Sequence, residues 1–145
     1  MPKWYKINPG RDREMFAEFI KAGHMAVRFN EFGDIRGLTV REMLQLPNAE
    51  SPVRAAELHT FVNHVRPDDR IVLYDQRNRR YILGTVTSEY EHRDGHHLGY
   101  HHFYGVRWGN TVPKDLVSPE NQSVLSRRLA FYACDEVGPE LEPYL

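Results

Sequence analysis

Two groups of residues in this 145-residue chain have the types and spacing that chemistry needs. The first lies in Gly23–Gly37, GHMAVRFNEFGDIRG. Phe29 offers an aromatic face, Asn30 an amide and Asp34 a carboxylate, grouped beside a Gly33-Asp34 turn. These are the parts that hold a flat, hydrogen-bonding ring, and a nucleobase is such a ring. Stacking on an aromatic contributes about 1–3 kcal/mol and tolerates any base, so polar neighbours must supply selectivity. Asn8 and Asn30 bring donors and acceptors; Asp34 accepts from an exocyclic amine. Tyr90, Tyr100 and Tyr104 fall at strand ends or beside loops and extend the aromatic set. The competing reading is structural: Phe29 and Tyr104 fill the core and Asp34 shapes a turn.

The second group is His92, His96, His97, His101 and His102, five imidazoles within eleven positions. Neutral imidazole is a common metal ligand. No cysteine joins them, and the nearby acids are Glu89, Glu91 and Asp94. On a strand, His101 and His102 point to opposite faces and cannot share one ion. The expectation is a solvated loop feeding a strand, with no metal and no cofactor. A small metal-dependent hydrolase built on this loop is the alternative it leaves open. The chain has no G-x-S-x-G, no Walker A and no H-E-x-x-H, so a binding module is expected rather than an enzyme.

The bulk numbers narrow the class. The length suits one domain with one core. With 41% hydrophobic and 27% charged residues the chain should fold. No apolar run is long enough to span a bilayer, and no signal peptide opens the chain. A single cysteine, Cys134, excludes an internal disulfide and fits a cytoplasmic protein. It should be a buried, inert thiol. A net charge of −1 does not suit a protein that grips nucleic acid by bulk charge. Any such grip needs a local basic face, and Arg77, Arg79 and Arg80 cluster on one hairpin.

The elements that must position these groups alternate irregularly. Trp4–Asn8 reads as a strand ended by Pro9-Gly10, and Asp12 as the cap of a helix running to Ala22, where Gly23 stops it. Thr39 caps a helix over Val40–Leu46, and a second runs from Pro52 to Val65. From Arg70 the period becomes two: Arg70–Asp75 and Arg80–Thr87 form a hairpin around Arg77-Asn78-Arg79. A loop over 91–99 leads to a strand at Tyr100–Trp108. A short helix is expected at Ser123–Leu129 and a closing strand at Phe131–Val137. Residues 1–137 form the expected domain, and 138–145 the start of a linker or tail. The order predicts α+β: a partly closed mixed barrel of about six strands with flanking helices.

Five segments in this order resemble a known family. They are Trp4–Gly10, Ala26–Ile35 (AVRFNEFGDI), the strand after Asp69, Tyr81–Tyr90 (YILGTVTSEY) and Val106-Arg107-Trp108. Together they resemble the EVE/YTH-like branch of the PUA superfamily, in particular the N-terminal target-recognition domains of Mcr- and Mrr-type modification-dependent restriction systems. The resemblance covers about Trp4 to Val137. It implies a pocket for a flipped, modified base, most simply a methylated base in double-stranded DNA. It also implies a nuclease or NTPase module working alongside, and it leaves a methylated-RNA reader as the alternative. By matched position it implies base contacts from Asn8, Phe29, Asp34 and Tyr90, with Asn30 and Tyr100 beside them. Two departures, Arg28 for a frequent Gly and Phe29 for a frequent Trp, bear on pocket shape. Arg11, Arg28, Arg36, Arg77, Arg79 and Arg80 are the expected phosphate contacts.

Overall fold

The computed structural model describes every residue except Asn48 and Glu50. Its sheet is built from β1 (Trp4–Ile7), β2 (His24–Val27), β3 (Arg70–Asp75), β4 (Arg80–Val86), β5 (Glu91–His92), β6 (His102–Pro113) and β7 (Phe131–Ala133). The spatial order is β2-β6-β4-β3-β1-β7, with β5 against β6. β1 runs parallel to β3, and the other pairs are antiparallel. The flanking helices are α1 (Phe16–Ala22), α2 (Val40–Met43), α3 (Pro52–Asn63), α4 (Pro119–Val124) and α5 (Gly138–Leu141). The architecture is α+β, a mixed sheet curled into a half-barrel.

The curl comes from β6. Its first residues pair with β2 and β5, and from Val106 onward it pairs with β4. Between Ile82↔Thr111 and Gly84↔Trp108 the register slips by one residue in β6. Such a bulge sharpens the local twist. Gly84 permits it, because a Cβ there would lie 2.6 Å from Val106 and 2.7 Å from Trp108.

Two apolar clusters pack on opposite faces. The larger holds Phe19, Met25, Leu58, Phe61, Phe103, Tyr104 and Phe131; the smaller holds Trp4, Val72, Leu83, Cys134 and Leu141. Tyr104 is a core residue whose hydroxyl donates to Phe61 O at 2.7 Å. Trp108 stacks near Phe19 and donates to its carbonyl at 2.9 Å. Burial pushes the Cys134 thiol up to about 12. Among the described residues no helix is long and apolar enough to cross a membrane.

Local expectations and structure differ at several places. Asp12 does not cap α1: it sits at φ 53° in a 3₁₀ turn, Arg11–Arg13, and the α-helix starts at Phe16. The helix expected over 123–129 is α4, set earlier by the Ser118 cap and Pro119 at its first turn. The strand expected to begin at Tyr100 begins at His102, and the closing strand stops at Ala133. Residues 138–145, expected as a linker, instead form α5 and a 3₁₀ turn with Leu141 fully buried. Apolar burial of Val137 and Leu141 outweighs a proline- and glycine-rich composition.

Candidate nucleic-acid interface

A cleft of about 1330 Å³ opens where β1 and β2 end. Its walls are the β1 exit from Lys6 to Gly10, the Arg11–Arg13 turn, Val27–Phe29, Arg54 of α3, the β3–β4 hairpin stem, Lys114 and the 125–130 segment. Eight cationic side chains line it, Lys6, Arg11, Arg13, Arg28, Arg54, Lys114, Arg127 and Arg128, against one carboxylate, Asp12. A chain with net charge −1 thus concentrates positive charge in one concavity. A smaller hollow of about 500 Å³ between α3 and β7 carries mixed charge, with Lys3 and Arg66 facing Glu57 and Asp135.

Three of the cleft cations are partly neutralised. Arg54 pairs with Glu31 at 2.6 Å, Arg28 lies 3.8 Å from Glu14, and Arg127 lies 3.9 Å from Glu136. Among the described residues the other five have no carboxylate within 4.0 Å. Lys6 stands apart because it is only 3% exposed. Its Nζ donates to Asn8 Oδ1 at 2.7 Å and toward Ile7 O at 3.5 Å. Burial lowers its pKa to about 8. A buried ammonium without a counter-charge is costly, and an anion in the cleft would relieve that cost.

The aromatic lining is capped. Phe29 sits in the left-handed region at φ 37°, is 4% exposed, and lies 4.5 Å beneath the Arg54 guanidinium. Tyr100 lies 5.3 Å beneath Arg28, and its hydroxyl donates to Glu14 Oε1 at 2.7 Å. Burial and the neighbouring Glu14 push the Tyr100 phenol well up. Tyr100 packs flush on Gly10, at φ 87°, where any Cβ would overlap its hydroxyl. Tyr74 and Tyr81 supply further aromatic lining, with Lys114 5.3 Å over Tyr74. Arg13 donates to Tyr74 O and also covers Phe16 at 4.9 Å.

The expected base-binding residues divide in two. Asn8, Phe29 and Tyr100 line the cleft. The Asn8 amide is already engaged at both ends, by Lys6 and by Leu129 O. Asn30 does not line the cleft; it donates to Gly99 O and so braces the segment that carries Tyr100. Asp34 and Tyr90 lie outside the cleft lining. Asp34 is held bidentately by Arg36, at 2.6 and 3.2 Å, and that guanidinium keeps its carboxyl below the usual range. Arg36 covers Tyr90 at 5.4 Å, and the buried Tyr90 hydroxyl bonds His102 Nδ1 at 2.7 Å. Burial lowers His102 to about 4.

Of the expected phosphate contacts, Arg11 and Arg28 line the cleft. Arg36, Arg77, Arg79 and Arg80 do not; Arg79 pairs with Asp115 and Arg80 with Asp75, each at 3.1 Å. Sequence reasoning missed Lys6, Arg13, Arg54, Lys114, Arg127 and Arg128. The Arg127-Arg128 pair next to an apolar run was a visible signal, whereas Lys6 reads as the polar position of a strand.

Residues 5–132 match a domain family of unknown function, DUF8426, and the chain belongs to that family. No curated protein matches the chain. A solved structure, the NMR structure of Rpa0253 from Rhodopseudomonas palustris, is similar with 14% identity and a TM-score of 0.47. That similarity covers 96% of this chain and 89% of the other.

Proposed function

We propose that this chain is a DNA-binding module whose cleft grips the phosphate backbone and seats a flipped, modified base against Phe29 and Tyr100. The observation that carries the reading is the charge of the cleft, eight cations facing one carboxylate. A concavity lined by one sign of charge concentrates polyanions and raises their rate of encounter. Phosphate contacts supply affinity without sequence information. The aromatic residues supply the stacking faces that an extruded base needs.

The covered state of those faces fits a binding step with exchange. A base entering the cleft displaces Arg54 or Arg28 from an aromatic face. It trades a cation–π contact of about 0.5–2 kcal/mol for stacking of about 1–3 kcal/mol. Extrusion itself costs a few kcal/mol, least for a weakened pair. The preference for a methylated base, the EVE/YTH-like kinship and the partnership with a nuclease or NTPase rest on the five motif segments.

Matched DNA and RNA oligonucleotides test the reading. They carry unmodified bases, N6-methyladenine, 5-methylcytosine or 5-hydroxymethylcytosine. The expected result is tightest binding to one modified duplex. Tighter binding to methylated RNA would favour the RNA-reader alternative. Equal, weak binding to every oligonucleotide would overturn both.

A further inference from the structure

Outside the cleft, four side chains from three separate elements converge. Glu18 lies on α1, His24 opens β2, and His96 and His97 sit in the segment between β5 and β6. Glu18 Oε2 is 2.7 Å from His96 Nε2 and 3.1 Å from His24 Nε2, and Glu18 Oε1 is 3.8 Å from His97 Nε2. The ligand atoms of Glu18, His96 and His97 lie within 4.8 Å of one another. We propose that Glu18, His96 and His97 form a zinc site that staples the 93–101 segment to α1, with water completing the ion's coordination and His24 holding Glu18 from β2.

The chemistry of the set is the first support. Imidazole nitrogens with one carboxylate oxygen are zinc ligands, at about 2.0–2.2 Å from the ion. A tetrahedron of that size places its ligands about 3.3–3.5 Å apart. The Glu18–His96 and Glu18–His97 separations of 2.7 and 3.8 Å bracket this, so small side-chain shifts make room for an ion. The His96 side chain is 12% exposed, which presets it, while His97 at 69% leaves an entry path.

One hydrogen bond opposes the site. His96 Nδ1 accepts from Leu98 N at 3.1 Å, so without metal the ring proton sits on Nε2 and is donated to Glu18. Zinc at Nε2 replaces that proton. The proton then moves to Nδ1, and Leu98 N–H loses its acceptor. The exchange gives up the His96 hydrogen bonds to Glu18 and to Leu98, which the bonds to zinc must outweigh. It also gives the site a signature: the Leu98 amide must change its environment.

The staple has a consequence for the cleft. Leu98 O accepts from Arg28 at 2.8 Å, Gly99 O accepts from Asn30, and the His96 ring lies 5.7 Å from that of Tyr100. Fixing His96 therefore fixes the wall that carries Tyr100 and Arg28. Metal binding does not depend on the nucleic-acid reading; only this consequence does.

The test uses the full chain, stripped with a chelator and titrated with Zn²⁺ against a chromophoric competitor. Co²⁺ absorption reports coordination, and amide NMR reports Leu98. The expected result is one tightly held ion per chain and a shifted Leu98 amide. Affinity should fall at least tenfold in Glu18→Gln, His96→Gln and His97→Gln, and stay unchanged in His92→Gln with His101→Gln. If Glu18→Gln fails to fold, the exposed His97→Gln decides alone. No binding, or binding that folded Glu18→Gln and His97→Gln retain at full strength, overturns the site. Zinc binding without any effect on oligonucleotide affinity would leave the site standing and remove its link to the cleft.

Discussion

Neutralising Arg11 and Arg128 together is the sharpest test of the cleft. Both are exposed, both line it, and among the described residues neither has a carboxylate partner within 4.0 Å. Their loss should therefore leave the fold untouched. Five unpaired cations line the cleft, Lys6, Arg11, Arg13, Lys114 and Arg128. Each phosphate neutralised contributes about 0.9 to the slope of log affinity against log salt, so five give a slope of about −4.5. Between 50 and 200 mM salt, such a slope predicts a loss of roughly 500-fold in affinity. Arg11→Gln with Arg128→Gln should reduce the slope to about −2.7. At 0.1 M salt each released counterion is worth about 1.2 kcal/mol, so the double variant should bind about 60-fold more weakly. The ratio of modified to unmodified affinity should not move, because phosphate contacts carry no base information. Fluorescence anisotropy over a salt series measures both quantities. A double variant with the wild-type slope would show that nucleic acid binds elsewhere, or not at all.

Three further outcomes follow from particular residues. The Lys6 pKa, about 8 in the fold against 10.5 unfolded, is lowered, so the ammonium costs stability below pH 8 and the cost disappears as pH rises toward 10.5. Lys6→Met should therefore raise stability at pH 7, by up to about 3 kcal/mol, in denaturant melts. In wild type DNA affinity should fall as pH climbs from 7 to 9.5, and the variant should lack that fall; a pH dependence surviving in the variant would exonerate Lys6. Phe29→Leu should weaken binding of the modified duplex by about 1–3 kcal/mol, whereas Asp34→Ala, tied to Arg36 outside the cleft, should leave the ranking of bases unchanged in competition assays. Arg77→Glu with Arg79→Glu should bind DNA as wild type does, since Arg79 already faces Asp115 and neither residue lines the cleft; a uniform weakening would place the hairpin against the duplex.

Much of the fold was legible because it follows local rules. The β3–β4 hairpin appears where alternation put it, within one residue at its far end. Thr39 makes the full capping box with Glu42, and Ser51 accepts from Arg54 N ahead of Pro52. The failures were places where tertiary packing overrode local signals. Asp12 has the side chain of a helix cap, yet the preceding Gly10 must turn at φ 87° to seat Tyr100, and the chain reaches Asp12 already committed to a turn. The 138–145 segment reads as a linker by composition, but Gly138 packs against Trp4 so closely that a Cβ would come within 2.8 Å of its indole nitrogen.

The candidate site was legible in its aromatic half and in two of its eight cations, Arg11 and Arg28. Phe29 and Tyr100 sit in strands or loops whose ends a reader can find, and both reach the cleft. Asp34 and Tyr90 were grouped with them by chain proximity and motif order, but neither lines the cleft: Asp34 is taken up by Arg36 and the Tyr90 hydroxyl by His102. The cationic half is delocalised by construction. Its charges come from β1, the 11–13 turn, the β2 exit, α3, the β6 exit and the 125–130 segment, so no window of sequence holds more than two or three. The convergence of Glu18 with His96 is of the same kind, across 78 positions. Net charge is blind to such segregation. The offsetting acid is spread along the chain, and among the described residues every carboxylate but Asp12 falls outside the cleft lining. A field of one sign inside a concavity acts over a Debye length of about 8–10 Å at ordinary salt. The chain's near-neutral total is therefore no obstacle to binding a polyanion. The local excess of cations, and how many of them already have partners, sets the strength of the grip.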